Sequence, residues 1–201
     1  MQYRIQEKYA GAGMRIGLLG GSFDPPHAGH RHISEIAFKR LRLDSVWWLV
    51  TPQNPLKIRA PSASAAQRLA DAQSLARHPR FNVTDVERRL GTRTTIDTIG
   101  GLTARYPRIR FLWIMGADNF IQLPHWAHWT RIMTTLPVAV IARPGYHLRA
   151  GLSKAACRYQ ACRLPTEQAI LLPTMRPPAW TLLNDRLHPA SSTQMRAKSA
   201  R

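Results

Sequence analysis

The chain has 201 residues, 44% of them hydrophobic and six of them tryptophan, enough to build a sizeable core in one domain. No apolar run approaches the roughly 18 residues of a membrane span, and the opening MQYRIQEKYAGAG lacks the apolar core of a signal peptide. A cytoplasmic protein is expected, with Cys157 and Cys162 as free thiols. The formal net charge of +18 suits phosphate-bearing partners, but the basic residues are spread along the chain with no aromatic-interleaved patch, which favours polyphosphate ligands over nucleic acid.

Residues 1–13 are polar and glycine-rich, and are expected to be a disordered extension ahead of a domain spanning 14–201. Ile16, Leu18 and Leu19 form a short apolar strand that Gly20-Gly21 should stop, letting the backbone turn and approach a ligand without a Cβ in the way. Pro25 and Pro26 stiffen the turn, so a helix can begin only near Ala28 or Gly29. Ile33, Ile36, Ala37 and Leu41 then recur at helical spacing. His27 and His30 fall at the first turn of that helix, beside free backbone N–H groups and the positive end of its dipole, where phosphate binds well. Two other readings stay open: zinc held by His27, His30 and His32, which have no nearby Cys, Asp or Glu to complete a set, and imidazoles that merely cap the turn. The stretch is neither a Walker A loop nor GxGxxG.

Val46–Val50 is a second strand, making a β-α-β opening with parallel pairing. The proline-bracketed loop Thr51–Lys57 follows at its C-terminal end, where loops of open α/β sheets line the ligand crevice, and Lys57 is a candidate phosphate contact or an ordinary solvated lysine. A helix is predicted over 64–77, capped by Ser62 or Ser64, then a third strand through Phe81, Val83 and Val86. From Glu87 a hydroxyl-rich loop runs into a helix ending near Tyr106. Thr94 or Thr95 is its N-cap, which would aim free amides at a carboxylate or phosphate, or simply cap.

A fourth strand, Phe111–Met115, ends in Gly116-Ala117-Asp118, a carboxylate well placed for a ribose. In His125–Trp129 one tryptophan anchors a short helix and the other can stack on a heteroaromatic ring, core packing being the alternative. Leu136–Ile141 is a fifth strand. Tyr146–Cys162 reads as loop plus helix and Ile170-Leu171-Leu172 as a last strand, while Arg176–Leu187 gives no assignable pattern. Ser191-Ser192-Thr193 ahead of Arg196 would grip phosphate oxygens if a helix starts there, and is otherwise a frayed terminus.

Several of these segments fall in a familiar order. Gly20-Gly21-Ser22-Phe23-Asp24-Pro25 with His27-Ala28-Gly29-His30 resembles the opening of the His-x-Gly-His nucleotidyltransferases. With Asn54-Pro55-Leu56-Lys57, the segment Arg89–Thr98, Gly116-Ala117-Asp118, Arg143-Pro144-Gly145 and Ser191–Arg196, the chain from Met14 to Arg196 resembles bacterial nicotinate-nucleotide adenylyltransferases. The resemblance implies a Rossmann-like three-layer α/β/α fold with a mainly parallel central sheet. It also implies transfer of AMP from ATP to nicotinate mononucleotide, giving deamido-NAD and pyrophosphate, with Mg²⁺ accompanying ATP and no dedicated metal ligands.

By motif, Gly20, Gly21, Ser22, Phe23, His27, His30, Asp118, Ser192, Thr193 and Arg196 would bind ATP. Lys57, Thr95, Ile96, Trp126 and Ala127 would bind nicotinate mononucleotide, the ring on Trp126 and its carboxylate at Thr95 and the backbone of Ile96 and Ala127. His27, His30, Lys57 and Arg196 would be the catalytic set. Thr94 stands where the family often has Tyr. No membrane or nucleic-acid partner is implied, and a homo-oligomer is left open. The rivals are another phosphorylated acceptor, such as nicotinamide mononucleotide or phosphopantetheine, or a basic RNA-binding protein.

Overall fold

Alternation within the strands decides the architecture. Strand β2 (Ser45–Val50) is buried along its whole length, with Val46, Trp48 and Val50 in one core cluster and Trp47 and Leu49 in another. A strand apolar on both faces must be covered on both, as in a parallel sheet between helical layers. The computed structural model describes residues 10–51 and 63–184, and all that follows concerns those residues. They contain one sheet, ordered β3-β2-β1-β4-β5-β7-β6, in which every pairing is parallel.

The strands are β1 (Arg15–Gly21), β2, β3 (Phe81–Thr84), β4 (Arg110–Gly116), β5 (Val138–Ile141), β6 (Arg163–Leu164) and β7 (Trp180–Leu183). One face is packed by α1 (Ala28–Arg40), α2 (Ala65–Leu75) and a 3-10 helix (Thr166–Thr174) through Ile33, Ala37, Ala72 and Leu172. The other is packed by α3 (Val86–Leu90), α4 (Thr95–Arg105), α5 (Ala117–Gln122), α6 (Trp129–Thr135), α7 (His147–Gly151) and α8 (Lys154–Arg158), through Val86, Ile99, Phe120, Ile132, Ala150 and Ala155. The expected three-layer, parallel α/β/α fold is the one observed. Gly13 of the N-terminal extension donates to the Arg108 carbonyl at 2.7 Å.

The sheet corrects four expectations. Ile170-Leu171-Leu172 is part of the 3-10 helix, and the last strand is β7, within the stretch that showed no pattern. Val86 opens α3 instead of ending β3, and what read as a loop from Glu87 is helical to Leu90. The fifth strand starts two residues later than expected, at Val138. Gly20 and Gly21 continue β1, paired with Leu49 and Val50, and neither has a positive φ. Their lack of a Cβ serves packing: a Cβ on Gly20 would lie 2.6 Å from Cη2 of the buried Trp113.

The chain runs outward from β1 through β2 to β3 and from β4 through β5, so the switch point lies between β1 and β4. The crevice beyond the carboxyl ends of the strands there is where ligands of such sheets bind.

Candidate active site

The loop leaving β1 is built on Phe23. Its φ of +46° lies in the left-handed region that a bulky residue rarely adopts, and burial of its ring to 1% exposure holds it there. The ring stacks on Trp48 at 5.1 Å, 6° from parallel, and lies 4.7 Å from His30. With the ring in the core, Phe23 can meet a ligand only through its backbone.

His27 is the N-cap of α1, with extended φ and ψ of −147° and 163°. His30, three residues on, accepts the His27 backbone N–H at Nδ1, 3.2 Å away, doing what glutamate does in an ordinary capping box. An imidazole accepting at Nδ1 carries its hydrogen at Nε2 when neutral, so the contact selects the Nε2–H tautomer. The two rings stack 3.8 Å apart. His27 is the inner ring at 3% exposure, and His30 is half-buried. Behind them the Trp48 indole donates to Ser34 Oγ at 2.8 Å, and Ser34 donates to the His30 carbonyl at 2.9 Å, fixing the first turn from within the core. The first turn of α1 has no acidic residue, while Lys39 and Arg40 occupy the last. No acidic residue of the helix's own first turn offsets the positive end of its dipole, which favours an anion.

Arg68, on α2, locks this loop to its neighbour. Its Nη1 donates to the Ser22 carbonyl at 2.6 Å and the Thr51 carbonyl at 2.8 Å, and its Nε to the Ala63 carbonyl at 3.2 Å. Burial pushes the guanidinium below its ordinary value and the nearby Asp24 carboxylate opposes this. In sequence Arg68 looked like one more polar position on an Ala-rich helix, and no motif marks it.

On the other side of the switch point, Asp118 is the second residue of α5, which directly follows β4. Its Oδ2 lies 3.4 Å from Nη1 of Arg143, and its Oδ1 is buried without a hydrogen-bond partner among the described residues. An orphaned acceptor at a strand's C-terminal end suits a hydroxyl donor. Gly116 makes room for the pair, since a Cβ there would lie 2.5 Å from Asp118 Oδ1 and 2.9 Å from Arg143 Nε.

At the start of α4 the N-cap is Thr94, whose hydroxyl accepts from the Asp97 amide at 3.3 Å and donates to the Asp97 carboxylate at 2.7 Å. Thr95 is the first helical residue, not the cap. The amides of Thr95 and Ile96 have no acceptor among the described residues, and the Ile96 side chain is in the core. Trp126 lies between a 3-10 turn (Leu123–His125) and α6, which packs on α4. Its ring is half-buried against the core, and Ala127 is exposed.

The structure thus brings together Gly20 and Gly21 at the end of β1, Ser22 and Phe23 in the loop after it, and His27 and His30 at the start of α1, across the switch point from Asp118, and sets Thr95 and Ile96 at a separate helix start. Lys57, Ser192, Thr193 and Arg196 lie outside the described residues.

A parallel sheet whose first loop presents stacked histidines at a helix start defines a His-x-Gly-His nucleotidyltransferase. In agreement, residues 18–198 match the family model described as cytidylyltransferase-like. A protein of Cereibacter sphaeroides named probable nicotinate-nucleotide adenylyltransferase is 56% identical over 92% of this chain and 97% of its own. One of the same name from Parvibaculum lavamentivorans is 51% identical over 92% of each. The chain belongs to the cytidylyltransferase-like family and, within it, to the nicotinate-nucleotide adenylyltransferases. Among solved structures, Plasmodium falciparum nicotinic acid mononucleotide adenylyltransferase superposes in complexes with NaAD and with APC. The TM-scores are 0.67 and 0.65 at 16% and 15% identity, covering 90% and 92% of this chain and 82% and 83% of that one; at that identity the likeness speaks to the fold.

Proposed function

We infer that this protein transfers AMP from ATP to nicotinate mononucleotide, releasing pyrophosphate and forming deamido-NAD. The single observation that carries the reading is the acid-free start of α1 at the switch point, with stacked imidazoles and His30 held as the Nε2–H tautomer. It rests also on relatives of that name at about half identity over nearly the whole chain.

An oxygen of the mononucleotide's 5′-phosphate attacks the α-phosphorus of ATP. The new P–O bond forms as the bond to the β-phosphate oxygen breaks, and pyrophosphate leaves with that electron pair. No covalent nucleophile on the protein is needed, so its task is positioning and preorganised positive potential. His30, backed by His27, donates to the phosphates, with Gly20 and Gly21 at the end of β1 and the loop residues Ser22 and Phe23 around them. Lys57, Ser192, Thr193 and Arg196 add charge and donors by motif. Asp118 receives a hydroxyl on the adenosine side. Thr95, the Ile96 amide and Ala127 take the nicotinate carboxylate, and Trp126 faces its ring.

Mg²⁺ would accompany ATP, held chiefly by the phosphates and water. When present it neutralises charge on the triphosphate. Among the described residues no helix is long and apolar enough to cross a membrane, and the cytoplasm is the expected compartment. We take residues 14–201 as the transferase domain.

The test is ATP-dependent pyrophosphate release measured with nicotinate mononucleotide, nicotinamide mononucleotide and phosphopantetheine in parallel. The reading requires the highest kcat/KM with nicotinate mononucleotide; an equal or higher value with another acceptor overturns the substrate assignment.

A further inference from the structure

The segment Arg143-Pro144-Gly145 belongs to the chain's ordered set of motifs, yet the transfer just described gives it nothing to do. Its local structure follows from its residues. Pro144 fixes its own φ and Gly145 takes a φ of +76°, the combination that a type II turn requires at its central positions. The Tyr146 amide closes the turn on the Arg143 carbonyl at 3.0 Å. On the other side, the Ala142 amide donates to the Leu183 carbonyl at 2.9 Å, so the sheet holds the chain up to the turn. Arg143 therefore leaves the carboxyl end of β5 with its backbone fixed before and behind. β5 lies beside β4 with Ile141 opposite Gly116, which brings Arg143 to the residue two beyond Gly116, Asp118.

The two side chains meet in partly dry surroundings. Nη1 of Arg143 donates to Oδ2 of Asp118 at 3.4 Å, and the side chains are 14% and 27% exposed. Oδ1 of the same carboxylate is buried with no hydrogen-bond partner among the described residues. A carboxylate accepts on both oxygens and turns easily about its last torsion. Asp118 stands in the first turn of α5, where a free carboxylate is drawn to the amides of its own helix start. A guanidinium that takes one oxygen opposes that rotation and leaves the other oxygen unclaimed by the described chain. Gly116 supplies the space, since a Cβ there would lie 2.5 Å from Oδ1 and 2.9 Å from Nε of Arg143.

We propose that Arg143 is a positioning residue for the nucleotide: planted by the Pro144-Gly145 turn, it holds Oδ2 of Asp118 so that Oδ1 is kept for a ribose hydroxyl of ATP. The proposal rests on the reading that Asp118 receives an adenosine hydroxyl. A guanidinium that met the triphosphate itself would serve every nucleoside triphosphate alike. One that acts through Asp118 matters only where the hydroxyl is present, because an ordered acceptor discriminates against an analogue that leaves it unpaired.

The experiment measures pyrophosphate release with nicotinate mononucleotide as acceptor and ATP, 2′-deoxyATP or 3′-deoxyATP as nucleotide, for wild type, Arg143→Met, Arg143→Lys and Gly116→Ala. Wild type is expected to lose roughly 30-fold in kcat/KM with the analogue that lacks the bonded hydroxyl. In Arg143→Met, kcat/KM for ATP is expected to fall roughly ten-fold through KM, while that analogue changes little, so the discrimination shrinks to about three-fold. KM for nicotinate mononucleotide should not move. Arg143→Lys, which keeps a cation beside Oδ2, is expected to recover most of the discrimination. A ratio of ATP to analogue that stays at the wild-type value in Arg143→Met, whether activity holds or falls on all three nucleotides together, overturns the proposal. If Arg143→Met does not fold, Gly116→Ala decides, because its methyl group enters between the two charged groups while both remain, and it too must lower the ratio. A wild type that is inactive with ATP, or that uses all three nucleotides alike, overturns the reading of Asp118 and this proposal together; a discriminating wild type whose variants discriminate as well overturns the proposal alone.

Discussion

Replacing Glu87 by glutamine should change the pH dependence of folding in a calculable way. In the unfolded chain the carboxyl ionises near its ordinary value of 4.5, while burial in the native protein pushes it up to about 7. Below pH 4.5 both states hold the proton, and the residue contributes nothing that varies. Between the two values the unfolded chain releases its proton and the native chain keeps it. The native state then binds more protons, and stability falls as pH rises. Above about 7 both are ionised and the penalty is constant. At about 1.4 kcal/mol for each tenfold change in proton affinity, the gap amounts to about 3 kcal/mol. Glutamine, neutral throughout, escapes it. Urea denaturation of both proteins at pH 4.5 and pH 8 is the assay. With m of about 3 kcal/mol/M for a chain of this size, the variant's midpoint, measured relative to wild type, should move up by roughly 1 M from pH 4.5 to pH 8. Other titrating groups are shared and drop out of the comparison. Parallel curves for the two proteins at both pH values would mean that the carboxylate is solvated in the native state, and the reasoning would be wrong.

Gly20→Ala should destabilise by about 1–3 kcal/mol in thermal or urea unfolding, because its Cβ would press on the rigid, buried Trp113 indole; a neutral substitution would mean the sheet yields there. Arg68→Met should lower stability by about 2–4 kcal/mol, since the Ser22 and Thr51 carbonyls lose their shared donor, and should raise KM for ATP as the loop loosens. An unchanged urea midpoint would show the clamp to be dispensable. His30→Ala should lower turnover by about 100-fold or more with the circular dichroism spectrum retained; near-normal turnover would remove His30 from the phosphate site.

What could be read in the sequence and what could not divides along physical lines. β1, β2 and β4 announced themselves as short apolar runs punctuated by glycine, proline or a charged turn, α1 by its apolar residues at helical spacing, and the histidines were placed by where a helix after Pro25-Pro26 can start. β7 was missed because Trp180–Leu183 is only four residues long, too short for either period to show. Ile170-Leu171-Leu172 suggested a strand for the same reason in reverse: three apolar residues fit any period. The structure leaves Ile170 and Leu171 at 39% and 49% exposure and buries Leu172, a one-sided pattern that a strand inside this sheet could not have. The glycines of β1 were correctly singled out but for another reason, because a turn and a close approach of an indole leave the same mark on a sequence.

Arg68 and Glu87 were invisible for a different cause. A charged residue on a helix ordinarily faces water, and only the tertiary structure shows that these two do not. Arg68 bonds to carbonyls of the loops after β1 and β2, and Glu87 is buried on α3, which packs on α4. Burying an ionisable group is costly unless its hydrogen bonds are made, so neither is expected where an apolar residue would pack as well. A reaction in which one substrate attacks the other asks the protein for little besides accurate placement of two phosphates and a carboxylate. In such an enzyme, buried polar groups that hold loops in place account for rate as directly as the groups that touch the substrate. The loops after β1 and β2 and the start of α4 are therefore where substitutions remote from the ligands should act on KM and turnover without unfolding the sheet.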